Sequence, residues 1–186
     1  RFVAGAVGPT NKTCSMSPDV SNPAFRYLTY DELLTDYIEQ IDGLVQGGVD
    51  AILIETIFDS LNAKCAIDAA QQVMHERGVH LPIMLSVTIS DLAGRTLSGQ
   101  TLDAFLGSVS SYEIFSVGLN CSFGARQMKP YLKELSAKAP YYISVYPNAG
   151  LPNSMGVYDE TAESMSPQIG EFIDEGLVNI VGGCCV

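Results

Sequence analysis

Apolar residues along this chain alternate between short unbroken runs and longer stretches in which they return every three to four positions. The first run, Phe2 to Val7, predicts a strand, and the polar segment Gly8 to Tyr27 that follows predicts a loop. From about Asp31 the apolar positions Leu33, Leu34, Tyr37, Ile38, Ile41, Leu44 and Val45 fall at helical spacing and define one buried face. Thr29, with Glu32 three residues on, fits a capping box, and Gly47-Gly48 fits the stop. The same alternation then predicts a strand at Ala51 to Glu55, a helix from about Leu61 to Glu76, and a strand at Ile83 to Thr88. A short helix around Leu102 to Ser110, a strand at Phe115 to Leu119 and a helix from Ala125 to about Lys138 come next. The remainder predicts a strand at Tyr142 to Tyr146, a helix opened by Ser166-Pro167 and running to Glu175, and a last strand at Asn179 to Val181.

Strands alternating with helices at this spacing form right-handed βαβ crossovers, so the sheet is expected to be parallel and covered by helices. The uninterrupted apolar run Ala51-Ile52-Leu53-Ile54 agrees with a fully buried strand. A closed eight-stranded βα barrel takes about 250 residues and eight units. Six strands and five helices therefore leave two architectures: an open doubly wound sheet, or a barrel short of two units at one end and a helix at the other. Pattern alone slightly favours the open sheet. No repeat beyond the βα period, low-complexity tract or linker marks a second domain.

Composition narrows the function classes. Of 186 residues, 47% are apolar, enough for one sizeable core. The formal charge of -11 repels phosphate backbones and the ten Lys and Arg are scattered, which argues against nucleic acid as a partner. No stretch approaches the roughly 18 apolar residues of a membrane span, and Arg1-Phe2-Val3 does not open a signal peptide, so a cytoplasmic protein without a membrane partner is expected. Five cysteines at uneven spacing do not form a disulfide framework; reduced thiols or metal ligands are expected instead.

Parallel βα folds carry function at the C-terminal ends of their strands. The residues there are Glu55, Ser90-Asp91 leading to Gly94 through Gly99, Asn120-Cys121, Pro147-Asn148-Ala149-Gly150 and Gly182-Gly183-Cys184-Cys185. Three of the five cysteines thus stand on one face. Thiolate is a soft ligand suited to zinc, and three protein ligands leave a fourth tetrahedral position open, the mark of a catalytic rather than a structural site. Adjacent cysteines on a regular strand would point to opposite faces, so the chain must turn there, with Gly182-Gly183 expected to supply the freedom. For Cys121 taken alone, a small buried hydrophobe is an equally open reading. Cys65 falls on the apolar stripe Leu61, Cys65, Ala69, Val73, and Cys14 sits in the first loop; neither joins the metal set. A carboxylate ending an apolar strand needs a partner, and for Glu55 a substrate ammonium and a salt bridge to Arg95 stay open together. Asp59 or Ser60 is expected to cap the next helix, and His75 and His80 to be surface residues.

Gly118-Leu119-Asn120-Cys121 and Gly182-Gly183-Cys184-Cys185 resemble the zinc motifs of the homocysteine S-methyltransferase family. The stretches Gly5 to Thr13, Ile54-Glu55-Thr56, Gly94 to Gln100 and Tyr146 to Asn153 resemble more narrowly the homocysteine-binding module of cobalamin-dependent methionine synthases. The resemblance covers essentially the whole chain and implies a partial TIM (β/α)8 barrel, with residues 1–186 a fragment of a single barrel domain. Phe2 to Val7 would be its third strand and Asn179 to Val181 its eighth, with the first two βα units and the closing helix absent. It implies Zn2+ held by Cys121, Cys184 and Cys185, and homocysteine bound with its sulfur in the open zinc position. Methyl transfer from methylcobalamin would then give methionine. It further implies that Glu55 contacts the homocysteine amino group while Asn120 and Asn148 organise the pocket. Methylcobalamin and folate would be bound by other modules of the same polypeptide. The alternatives are a stand-alone enzyme using S-methylmethionine or betaine and, from another class, a non-catalytic fold with a structural zinc.

Overall fold

The computed structural model describes residues 1–186. The strands are β1 (Ala4–Val7), β2 (Ala51–Ile57), β3 (Ile83–Val87), β4 (Ser116–Gly124), β5 (Tyr142–Asn148) and β6 (Ile180–Val181). The helices are α1 (Tyr30–Gln46), α2 (Ser60–Arg77), α3 (Leu102–Val109), α4 (Ala125–Lys138) and α5 (Ala162–Asp174). All strand pairs are parallel, and the sheet order is β1-β2-β3-β4-β5-β6.

That order decides between the two architectures. A doubly wound sheet reverses direction at a switch point and so seats non-consecutive strands side by side. Here every strand lies beside its predecessor, the progression of a barrel wall, and β1 and β6 each have a single neighbour. The open doubly wound sheet favoured by pattern alone is therefore overturned; strand spacing carries no information about which side each crossover adds to. The fold is α/β, a partial TIM-barrel-like arrangement.

The pleat divides the strand residues into two sets. Val7, Ile52, Ile54, Leu85, Val87, Val117, Leu119, Ile143 and Val145 are buried in the apolar layer shared with the helices, which contribute Leu33, Ile41, Cys65, Ile67, Phe105, Leu132 and Phe172. The opposite face carries Ser86, Gly118 and Ser144 in register across β3, β4 and β5, with Asn120 level with Tyr146 one step further on. This second face, the inner wall, is small and polar at Ser86, Gly118 and Ser144, with Leu53 and Met84 paired on it closer to the N-terminal ends of the strands. Gly118 is obligatory there: a Cβ would lie 2.1 Å from the carbonyl oxygen and from Oγ of Ser144.

Helix ends follow the local chemistry. Thr29 and Glu32 close the capping box of α1, and Gly48 takes φ +82° just beyond it. Asp59 caps α2, accepting from the backbone N–H of Leu61 at 2.8 Å, and also accepts from the Ser15 hydroxyl, which ties the first loop to the sheet. Asp59→Ala is expected to lower stability by about 1–2 kcal/mol, read from the urea midpoint. The last helix differs from expectation: α5 starts at Ala162, because Thr161 and Ser164 cap each other's backbone N–H groups, and Pro167 lies inside it. A capping box upstream outweighs the tendency of proline to mark a helix start. No helix is long and apolar enough to cross a membrane.

Candidate metal centre

Two irregularities in the sheet build the site. Ile54 pairs with Leu85 and Ile57 with Val87, so Glu55 and Thr56 together oppose Ser86 alone. This is a β-bulge; β2 continues past its predicted end, and Thr56 takes φ +56°. In β4, Asn120 pairs with Tyr146 and Gly124 with Asn148, which leaves Cys121, Ser122 and Phe123 opposite Pro147. Cys121 and Ser122 take φ +61° and +60°. Left-handed backbone at non-glycine residues costs about 1–3 kcal/mol each and persists where surroundings impose it. All three such residues of this chain flank one point, where the bulges turn Glu55 and Cys121 toward the barrel mouth.

Asn120 holds the bulges together. Its Oδ1 accepts from the Thr56 backbone N–H at 3.1 Å and from the Ser86 hydroxyl at 2.7 Å. Its Nδ2 donates to Thr56 Oγ1 at 3.0 Å and, in a long contact of 3.9 Å, to Cys184 Sγ. A carboxamide has two donors and two acceptor lone pairs, so the side chain is fully engaged. Thr88 Oγ1 also donates to the Asn120 carbonyl, at 3.1 Å.

The paired cysteines arrive by a different route. Beyond β6 the backbone stays alongside β5: Gly182 donates to the Val145 carbonyl at 3.0 Å and Cys184 to that of Pro147 at 2.9 Å, while the Cys185 carbonyl accepts from Ala149 at 2.8 Å. Asn148 Oδ1 accepts the Cys185 N–H at 3.2 Å. Neither Gly182 nor Gly183 has a left-handed φ. The expected conformational role of Gly182 is therefore replaced by a spatial one, since a Cβ there would lie 3.3 Å from that of Tyr146.

The result is a cluster. The sulfurs of Cys121, Cys184 and Cys185 all lie within 4.8 Å of one another, with 3.9 Å between Cys184 and Cys185. Tetrahedral zinc with bonds of about 2.3 Å requires sulfurs about 3.8 Å apart, so the donor set fits zinc with small movements. Burial is the main influence on the Cys184 thiol and pushes it up to about 11; the Asn120 N–H opposes this, and Cys121 and Cys185 add to it. A metal ion therefore has the Cys184 proton to displace on entering.

Around the cluster, Glu55 Oε2 accepts from the Tyr146 hydroxyl at 3.0 Å. Burial, followed by the Glu55 charge, holds the Tyr146 phenol far above its ordinary range, despite an opposing hydrogen bond with Ser86. The salt bridge to Arg95 is not formed: that guanidinium donates to Gly99 within its own loop. Tyr158 stands beside Cys185, and burial and that neighbour raise its phenol. Cys65 is buried in the apolar layer, as its stripe predicts, and Cys14 is buried there too, although it comes from the polar first loop. His75 and His80 line a groove of about 820 Å³ at the N-terminal ends of β3 and β5, the opposite end of the sheet from the cysteines.

Glu55, Asn120, Cys121, Asn148, Cys184 and Cys185 are thus brought to one mouth. Sequence reasoning missed Tyr146, Thr56 and Tyr158 there. Tyr146 had a legible signal, its place at a strand end immediately before Pro147. Thr56 depends on a bulge that spacing does not reveal.

Parallel strands in barrel order with a trithiol cluster at their C-terminal mouth define a partial βα-barrel with a candidate site for a soft metal ion. The chain belongs to the homocysteine S-methyltransferase family, whose profile matches residues 1–186. Its fold is similar to that of the homocysteine methyltransferase MmuM from Escherichia coli in two solved forms. The apo form has a TM-score of 0.68 and 18% identity over 99% of this chain and 57% of that one. The metallated form has a TM-score of 0.69 and 18% identity over 99% and 56%. A phosphonomutase-like protein from Burkholderia cenocepacia follows, with a TM-score of 0.53 and 16% identity over 81% and 58%. The chain spans little more than half the length of each of these relatives.

Proposed function

We propose that this chain is the homocysteine-activating part of a methionine synthase, acting in methionine biosynthesis with Cys121, Cys184 and Cys185 as ligands of a catalytic zinc. The observation that carries the reading is the convergence of three thiols from β4 and the segment after β6, with no fourth protein ligand in the cluster. The metallated form of MmuM supports a metal in this family, and the donor set here favours zinc.

Zinc held by three thiolates would supply a Lewis acid that keeps a thiol substrate deprotonated at neutral pH. The protein's own groups do the rest. The two bulges aim Cys121 and Glu55 into the mouth, and Asn120 fixes both while its Nδ2 faces Cys184. Asn148 secures the backbone of Cys185. Glu55, held by the neutral Tyr146 hydroxyl, is the group proposed to receive the substrate ammonium. The methyl donor proposed is methylcobalamin, bound with folate by other modules of a longer polypeptide.

The donor is tested with the full-length protein, zinc and homocysteine. Methionine is expected from methylcobalamin and not from S-methylmethionine or betaine. Turnover with either of those in place of methylcobalamin would reassign the chain to the stand-alone branch of the family.

A further inference from the structure

Tyr146 occupies an unusual position in this mouth. In the β4–β5 ladder it lies level with Asn120, the residue before Cys121. Its Cβ abuts Gly182, two residues before Cys184, so closely that a Cβ on the glycine would lie 3.3 Å away, a tight contact. Its ring then reaches across the barrel mouth so that its hydroxyl donates to Glu55 Oε2 at 3.0 Å. One rigid side chain thus has its base against both cysteine-bearing segments and its tip on the carboxylate. Aromatic rings have few rotatable bonds, so they transmit position with little loss of freedom.

The chemistry of the contact is as informative as its place. No Lys, Arg or His pairs with Glu55. A cationic partner would cancel the carboxylate's charge; a hydroxyl orients the group and leaves the charge and the second oxygen, Oε1, free. A half-buried carboxylate held this way is incomplete until a cation arrives.

We propose that Tyr146 is a positioning residue that fixes the distance between the thiolate cluster and Glu55, and thereby selects thiols carrying an amino group at the homocysteine spacing. This rests on the homocysteine reading and adds a residue and a substrate rule to it. Tyr146 touches Glu55 and not the reacting sulfur, so its removal weakens amino-group recognition without disturbing metal or thiol chemistry.

The test uses zinc-loaded full-length protein and two probes: homocysteine, and 4-mercaptobutanoate, which has the same thiol, chain length and carboxylate but no amino group. Tyr146→Phe is expected to weaken homocysteine binding by about tenfold, as for loss of a hydrogen bond to a charged group. Zinc content and 4-mercaptobutanoate affinity are expected to stay unchanged. Glu55→Gln, which keeps the tyrosine, is expected to lose the same discrimination, so the question stays decidable if Y146F folds poorly. In the E55Q background Y146F is expected to add nothing. Equal weakening of both thiols by Y146F, or undiminished preference for homocysteine in either variant, overturns the proposal. A wild-type protein that binds neither thiol instead overturns the homocysteine reading beneath it.

Discussion

Cys184→Ala is expected to abolish useful zinc binding and homocysteine binding together. Structural zinc sites with four ligands are worth about 10–16 kcal/mol, roughly 2.5–4 kcal/mol for each ligand, so losing one thiolate lowers affinity on the order of 10²–10³-fold. Cys184 is central to the cluster: it faces Cys185 at 3.9 Å and receives the Asn120 amide. Its backbone N–H is bonded to Pro147, which keeps the segment in place when the side chain is shortened, so the loss is one of ligation rather than of fold. Cys65→Ala is the matched control. That thiol is fully buried and donates to the Tyr30 carbonyl at 3.5 Å, remote from the mouth. It is expected to cost some stability and no zinc. Metal analysis after dialysis and titration calorimetry with homocysteine read both variants; full zinc in C184A would remove Cys184 from the ligand set.

The largest expected effect on stability lies beneath the site. Gly118→Ala would place a methyl group 2.1 Å from the Ser144 carbonyl oxygen and 2.6 Å from the Ser144 carbonyl carbon. Those are backbone atoms in the neighbouring strand, so relief requires β4 and β5 to separate where Val117, Gly118 and Leu119 pair with Ile143, Ser144 and Val145. Overpacking of a tight interior costs about 1–3 kcal/mol when side chains can yield. With immovable backbone the cost is expected to be about 3 kcal/mol or more, a large share of the roughly 5–15 kcal/mol that holds a domain folded. Gly107→Ala, in α3 with open space around it, is the contrast and is expected to be neutral or to stabilise by up to about 1 kcal/mol. Urea unfolding of the two variants separates them; a G118A midpoint equal to that of the parent would show that the strands tolerate the methyl group.

Much of this architecture was legible because the signals are local. The stripe from Leu33 to Val45 with Thr29 and Glu32 in front of it specifies α1 by periodicity and capping, and the run Ala51 to Ile54 specifies a strand; the burial on both faces expected of it is not met, because Ile52 and Ile54 are buried under the helices while Ala51 and Leu53 are only half-buried on the inner face. Sheet order was not legible, since nothing in the spacing of strands says on which side the next one is added; it was the motifs around the cysteines, not the pattern, that implied a barrel. The same divide runs through the site. Glycines before paired cysteines mark a metal-competent segment, but the role of Gly182 is clearance for Tyr146, while Gly183 stands in open space. The bulges at Glu55-Thr56 and at Cys121-Ser122 are tertiary products, held by hydrogen bonds from Asn120 across strands far apart in sequence. No local preference predicts left-handed threonine, cysteine and serine. For the same reason Glu55 could be read as a partner of Arg95, whereas the fold delivers Tyr146 from the other side of the mouth.

X-ray absorption at the zinc edge tests the central claim most directly. Three cysteine ligands with an open fourth position predict three sulfurs and one light atom in the zinc-loaded protein, changing to four sulfurs when homocysteine is added. Four sulfurs before substrate, or a count that homocysteine leaves unchanged, would contradict a catalytic thiol-activating centre.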